Sequence, residues 1–358
     1  MDESQESAEQ RVLRALAAWS GLDGAQVAPL DGGLINQSWL VAAPGCEYIA
    51  QRVHGDFSPG IHQNIQAVSR HLAGRGISVA QLVETDAGTL FSDLGPSGRW
   101  RLMKRLPGVT FRKCQSAAQA SSAGALVAKF HGGMADWEGE LVPIGFPFHD
   151  MDQHLADLSR ALADRAEHPL HAEVKEVAER IFSTQATWPS HALLPRRVLH
   201  GDLKLSNVLF AGLAPPERDR AEALIDLDTI SRLPLFYDMG DAWRSWCNVG
   251  GEGPEEVRLD SEIFHASAEG YLSALKLDLQ SEERDSLAPA LEYVSLELCA
   301  RFAADALCES HFAWDPTTFP SAGEHNLYRA RGQLSLHDQA RETRGERARS
   351  LFGSGASA

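Results

Sequence analysis

The sequence predicts an α+β protein of two lobes, a small antiparallel β-sheet lobe with one packed helix followed by a larger, mainly α-helical lobe. Three observations predict it. The segments "SWLVAA", "EYIAQRV", "AQLVET", "TLFSDL" and "RWRLMKRL" are short, rich in branched and aromatic residues and bounded by turn signals, as strands are. Among them "IHQNIQAVSRHLAGRG" has helical apolar spacing and a glycine stop at Gly74 or Gly76. After "LPGVTF" the texture changes: from "SAAQASSAGALVAKFHGGMADW" onward the chain is Ala- and Leu-rich with helical patterning, interrupted by "RVLHGDLKLSNVLF" and the hairpin after it.

Residues 12–20, "VLRALAAWS", read as a helix ahead of the first strand, and the lobe boundary falls near residues 106–110. Residues 1–106 then form an N-terminal lobe, 107–350 a helical lobe, and 351–358, ending in "GSGASA", a disordered tail. The 358 residues exceed what one compact core usually holds, in keeping with two lobes. No apolar run approaches the ~20 residues of a spanning helix. The acidic, polar start "MDESQESAEQ" is unlike a signal peptide, so a soluble, cytoplasmic protein with no membrane partner is expected. Five scattered cysteines without a C-x-x-C pair argue against a disulfide framework and a zinc site. A formal net charge of -16 without clustered Lys and Arg disfavours nucleic acid, though a metal and a few local cations can still admit a nucleotide. Oligomeric state is left open.

Four patches carry chemistry. In "PLDGGLINQSWLV", Gly32 and Gly33 between apolar segments let the backbone approach a ligand and turn its N–H groups to phosphate oxygens, although such a pair is also an ordinary hairpin turn. Asn36 lies at the exit of that loop. In "HGDLKLSN", Asp202 can accept a proton from a substrate hydroxyl as a bond to phosphorus forms, and Asn207 offers a neutral amide oxygen to a divalent metal. His200 reads as a brace for the loop in preference to a proton-transfer group. Lys204 either touches the transferring phosphoryl group or is solvated. In "EALIDLDTI", Asp226 follows Asn207 by a span that suits a hairpin returning it beside Asn207 as a metal ligand, with Asp228 as a second ligand or its support. In "RLMKRLPGVTF", the backbone from Lys104 to Leu106, before a Pro-Gly turn, can present donor and acceptor to an adenine edge.

"HGDLKLSN" followed by "LIDLDT" resembles the catalytic and metal-binding loops of the aminoglycoside phosphotransferase and choline kinase superfamily, relatives of protein kinases. Among its branches the chain is most similar to the N-acetylhexosamine 1-kinases, through "GGLINQSWLV", "YIAQRV", "PFHD", "LIDLDTI", "YDMGDAWRSWCN", "LELCARFAADAL" and "EHNLYRARGQ" in that order. The resemblance implies a protein-kinase-like fold, ATP and Mg2+ as cofactors, and a small-molecule acceptor, with the anomeric hydroxyl of a hexose or N-acetylhexosamine favoured over choline, an amino alcohol or an aminoglycoside. A nucleotide-binding regulator without turnover is the reading from another class.

One departure stands out. The strand lysine of kinases, which pairs with a helix glutamate, is replaced by Gln51, or by Arg52 if the strand is shifted by one residue. The following helix offers Gln63 and Asn64 where a glutamate is expected. For the acceptor, Asp238 and Asp241 begin a helix with Arg244 one turn beyond, and Arg301 and Asp305 sit four apart on another, spaced to pair. Such carboxylates and guanidinium groups meet vicinal sugar hydroxyls two at a time, and the resemblance gives Arg301 and Asp241 the sugar-facing role. Trp243 and Trp246 read as core in preference to sugar-stacking residues.

Overall fold

A computed structural model describes residues 7–30, 35–188, 191 and 193–353. The chain divides into two compact units, one formed by Met1–Pro107, Asp136–Phe146 and Ala223–Ile230, the other by Gly108–Ala135, Pro147–Glu222 and Ser231–Ala358.

In the smaller unit, helix α1 (Ala8–Leu16) starts where Ser7 Oγ accepts the Gln10 N–H (3.1 Å) and the Gln10 side chain accepts the Ser7 N–H (2.9 Å). This reciprocal cap sets the start four residues ahead of the helix read from apolar spacing. The sheet comprises β1 (Gln26–Leu30), β2 (Gln37–Ala43), β3 (Cys46–Val53), β4 (Leu82–Val83), β5 (Ser92–Asp93) and β6 (Arg99–Lys104). It is antiparallel with order β1-β2-β3-β6-β4, and β5 also pairs β6. The unforeseen strand is β1. It is mostly exposed and contains Pro29, so it has no apolar alternation to read, as befits an edge strand. One sheet face buries Trp39, Val41, Ala50, Trp100 and Leu102 against Val12, Leu16 and Trp19. Alternation turns Gln51 and Arg101, partners across β3 and β6, to the other face. Helix α2 (Ile61–Ala73) contacts β4 and the turn at Leu227–Thr229.

The larger unit is built from α3 (Ala117–Gly133), α4 (Met151–Asp164), α5 (His171–Gln185), α6 (Phe236–Trp246), α7 (Ser261–Ala274), α8 (Ser281–Leu287), α9 (Ala290–Cys308), α10 (Ala322–Glu342) and α11 (Arg344–Phe352). Helix α9 is central, packed by α10, α6, α4 and α5. Helices α3 and α7 cross at glycines: a Cβ on Gly124 would lie 2.2 Å from the Ser267 carbonyl, and one on Gly270 2.0 Å from that of Ser121. Strands β7 (Arg196–Leu199) and β10 (Ser231–Pro234) pair antiparallel and frame the functional loop; β10 was not foreseen, being short and ending in proline. Strand β8 (Val208–Phe210) follows that loop, and β9 (Ala221–Leu224) comes after it in the chain. Gly108 has φ +130, and a Cβ there would lie 2.8 Å from the Phe210 carbonyl, which accepts the Val109 N–H (2.8 Å). The tail was expected from residue 351, but α11 runs to Phe352 with Leu351 buried, because its apolar side chain packs. Residues 354–358 lie outside the described ones. Among the described residues no helix is long and apolar enough to cross a membrane.

Candidate active site

In the larger unit, β7 delivers the chain into residues 200–207, where the backbone is held from two sides. Asp238 on α6, fully buried, accepts the N–H groups of His200 (2.8 Å) and Gly201 (2.7 Å), and its Oδ2 lies 2.9 Å from His131 Nε2. Burial pushes this carboxyl up, but His131 and the backbone donors outweigh it and hold it below its usual value. Asp238, read from sequence as facing the acceptor, is therefore an anchor of the loop. From the other side His149, in the left-handed region at φ 53, places Nε2 2.8 Å from the Gly201 carbonyl and Nδ1 2.9 Å from Glu297 Oε1. "PFHD" carried no role in the sequence reading. A histidine directly before a helix-capping aspartate, Asp150, was its only mark.

Burial lowers the tendency of His149 to charge, yet the Glu297 carboxylate more than offsets this and holds the imidazole above its ordinary 6.5. Burial likewise opposes ionised Glu297, which His149, and then His154 and Arg301, hold below 4.5. The histidine term is complete below 6.5 and is lost as pH rises through the raised folded value; the glutamate term is complete above 4.5 and is lost as pH falls through the lowered one. The pair therefore stabilises most between 4.5 and 6.5. The difference in urea midpoint between the native chain and Glu297→Gln should narrow from about pH 6 to about pH 9; a constant difference would exclude this pair as the titrating element.

Asp202 is a quarter exposed, with Oδ2 2.5 Å from Lys204 Nζ. Burial raises its carboxyl, but Lys204, then His200 and Arg244, hold it below the usual range, so it is an ionised hydrogen-bond acceptor at neutral pH. Asn207, 4% exposed, donates from Nδ2 to the Asp202 carbonyl (2.8 Å) and Oδ2 (3.1 Å). Its amide is thereby turned with Oδ1, the atom able to ligate a cation, accepting nothing from the described residues. That donor set fits a hard divalent ion. His200 is fully buried and accepts the Asp202 N–H at Nδ1 (3.3 Å), a brace.

On the acceptor side, Asp241 Oδ1 receives Arg244 Nε (3.0 Å) and Nη2 (2.6 Å), while its buried Oδ2 has no partner among the described residues. The half-buried Arg301 lies over the rings of Phe148 (5.6 Å) and Phe312 (5.5 Å) and forms no ion pair among the described residues; Glu297, Asp202 and Asp241 all act on its charge. The expected pairing of Arg301 with Asp305 does not form. Asp305 is buried and accepts the N–H groups of Ser310 (3.0 Å), His311 (3.0 Å) and Phe312 (2.9 Å) and the Asn326 amide (2.9 Å), closing the turn after α9, so it has no oxygen left for an acceptor. Trp243 and Trp246 are fully buried, and Trp246 Nε1 donates to the Leu203 carbonyl (2.8 Å).

In the smaller unit, Gly32 and Gly33 lie outside the described residues. Asp226 is left-handed at φ 64, ψ 59, an uncommon state for a non-glycine residue that favours a functional reading. Asp228 is not a metal ligand: 2% exposed, it pairs through Oδ1 with Arg101 Nη1 (2.6 Å) and accepts the Asn36 amide at Oδ2 (2.7 Å). Asn36, expected on the nucleotide, gives its other amide atom to the His54 N–H (3.0 Å). Gln51 faces this cluster, its Oε1 accepting Arg101 Nε (2.9 Å) and Nη2 (2.6 Å) and its Nε2 donating to Ser38 Oγ (2.9 Å). Arg52 projects to the opposite face, where Nε donates to the Ser97 carbonyl (3.0 Å) beside a 560 Å³ cavity. Lys104 is exposed and Leu106 half-buried. On α2, Gln63 is exposed and Asn64 donates to and accepts from the Val142 backbone (both 2.8 Å), so neither meets a strand cation. Sequence reasoning missed Arg101, which in "RWRLMKRL" looked like any charged strand residue. Among the described residues no group of three or more His, Cys, Asp or Glu side chains can hold a metal.

Residues 26–274 match the APH profile, described as a phosphotransferase enzyme family. The chain belongs to this phosphotransferase family. Homoserine kinase of Granulibacter bethesdensis is 29% identical over 220 residues, 60% of this chain and 63% of that one. Homoserine kinase of Rhodopseudomonas palustris is 30% identical over 189 residues, 51% of each. This phosphotransferase thus spans about half to two thirds of the length of the curated relatives it matches. Among solved structures, a microcompartment-associated aminopropanol kinase superposes with a TM-score of 0.62 at 18% identity, covering 93% of this chain and 97% of that one. An amicoumacin kinase solved with AMP-PNP and Ca2+ gives 0.65 at 16% identity, covering 93% and 94%. At these identities the neighbours show the fold, which is protein-kinase-like, α+β, with a small antiparallel sheet.

Proposed function

We propose that this phosphotransferase moves the terminal phosphoryl group of ATP, with Mg2+, onto a hydroxyl of a hexose or N-acetylhexosamine, the anomeric hydroxyl by the resemblance. The observation that carries the transfer is the ionised, partly exposed Asp202 on a loop held by Asp238 and His149. Its carboxylate orients the acceptor O–H and takes the proton as the oxygen bonds to phosphorus. The leaving oxygen of ADP keeps the electron pair of the broken bond. Lys204, already beside Asp202, is placed to meet developing charge on the transferred group. Asn207 and Asp226 are proposed as the cation's ligands, on donor chemistry and motif spacing. A cation held by Asn207 and Asp226 would supply neutralisation of the phosphate charge. Gly32 and Gly33 cradle the phosphates, and the Lys104–Leu106 backbone meets the adenine. A cytoplasmic setting is proposed on the family match.

A mixed set of carboxylate and guanidinium groups, Asp241, Arg244 and Arg301, supports the sugar. A second reading, a hydroxylated amino acid, is favoured by Arg301, which forms no ion pair among the described residues and is a natural seat for a carboxylate, and by relatives named homoserine kinase. Acceptor-dependent ADP release tests both: turnover with N-acetylhexosamines supports the sugar, turnover with homoserine the second reading, and none with any hydroxyl compound overturns phosphoryl transfer. For the metal role, Asp226→Asn is expected to weaken Mg2+-dependent nucleotide binding by about 10-fold or more. Titrating AMP-PNP with and without Mg2+ reads it, and an unaltered Mg2+ dependence removes Asp226 from the cation.

A further inference from the structure

We propose that Asp228 is a positioning residue that ties the turn bearing Asp226 to the sheet and to the exit of the glycine loop, replacing the strand-to-helix ion pair expected of a kinase fold. The contacts close a ring through the smaller unit. Ser38 on β2 receives Gln51 of β3; Gln51 receives Arg101 of β6; Arg101 pairs with Asp228; Asp228 receives Asn36; and Asn36 receives the backbone N–H of His54, just past β3. Arg101 and Asp228 are 1% and 2% exposed, so neither charge is satisfied by water.

The helix side of the expected pair is absent for a physical reason. The α2 residue on whose charge Arg101 and Asp228 act is His62, whose Nδ1 lies 2.9 Å from the Pro59 carbonyl and whose Nε2 has no partner among the described residues. Burial, then Arg101, pushes its pKa down to about 4, so it is neutral and offers no counter-charge. The anion is supplied instead by the segment that carries Asp226 two residues earlier. Asp226 is held in a left-handed conformation at the entrance to the Leu227–Thr229 turn, and Asp228, clamped at both oxygens, fixes that turn from within. Asn36, three residues past Gly33 in sequence, receives the same clamp. Loop exit and metal carboxylate are thereby one mechanical element, and Arg101, not Gln51, is its cation.

This inference rests on Asp226 serving the cation, and the test separates the two. Asn36→Ala removes one arm of the clamp and leaves the buried Arg101 pair in place. In AMP-PNP titrations it should raise the Mg2+ concentration for half-saturation about 10-fold, beside a lowered urea midpoint from the loss of a donor to a buried carboxylate. In the Asp226→Asn background the same substitution should change nothing further, because it acts through that carboxylate. Gln51→Ala, which loosens Arg101, should shift the Mg2+ requirement in the same direction. An unchanged Mg2+ requirement in Asn36→Ala, or a full 10-fold effect persisting without Asp226, overturns the positioning role. An Asp226→Asn chain with native Mg2+ dependence overturns the metal reading itself.

Discussion

Asp202→Ala is expected to lower turnover at least ~10²-fold while leaving AMP-PNP affinity within a few-fold of native, because the carboxylate addresses the acceptor hydroxyl and not the nucleotide. The loop should keep its shape, since its backbone hangs on Asp238 and His149 and not on the Asp202 side chain. Lys204 loses its counter-ion, but at about a third exposed it is solvated in compensation. Steady-state kinetics paired with nucleotide titration reads the two quantities separately. Near-native turnover would remove Asp202 from the mechanism, and a parallel collapse of nucleotide affinity would show that it organises the phosphates instead.

The largest loss of stability is expected from Arg101→Met. It strands the Asp228 carboxylate at 2% exposure with only Asn36 donating to it, and breaking a buried ion pair from one side costs roughly 3–5 kcal/mol. The double variant Arg101→Met, Asp228→Leu should recover much of that loss, since no uncompensated charge remains. It should nevertheless keep a raised Mg2+ requirement, because the turn has lost its clamp. Urea denaturation beside Mg2+ titration distinguishes the cases. A single variant within about 1 kcal/mol of native, where ordinary surface changes fall, would mean the pair is already reached by water.

How much was legible follows from how local each signal is. Strands β2, β3 and β6 and helix α2 were read from period and turn residues, and the loop "HGDLKLSN" from residue types that have few uses together. Asp202 and Asn207 indeed share one loop and one hydrogen-bond network. The cap of α1 was present as Ser7 and Gln10 but was outweighed by the apolar run after it. Asp228 was read as a metal ligand or its support from its place beside Asp226, and Asp305 as an acceptor residue from its spacing to Arg301, whereas only the fold shows that their oxygens are taken by Arg101 and Asn36, or by the turn after α9. Arg101 was illegible because its partners, Gln51 across the β3–β6 register and Asp228 far along the chain, leave no spacing to read. His149 was visible only as part of a resemblance, since a buried imidazole bridging Gly201 and Glu297 joins three distant segments.

Helix α6 holds the functional loop through Asp238, through Ser245 accepting the Leu205 N–H (3.0 Å), and through Trp246 donating to the Leu203 carbonyl, and it carries Asp241 and Arg244, the residues proposed to meet the acceptor. One rigid rod therefore sets both where the hydroxyl is activated and part of what the rest of the acceptor meets. A lineage cannot reshape its substrate range by sliding or rotating this rod without dismantling the chemistry. Innovation is confined to side chains that hang from elsewhere, chiefly Phe148, Arg301 and Phe312. Libraries selected for a new acceptor should accumulate substitutions at those three positions and leave 238, 245 and 246 untouched.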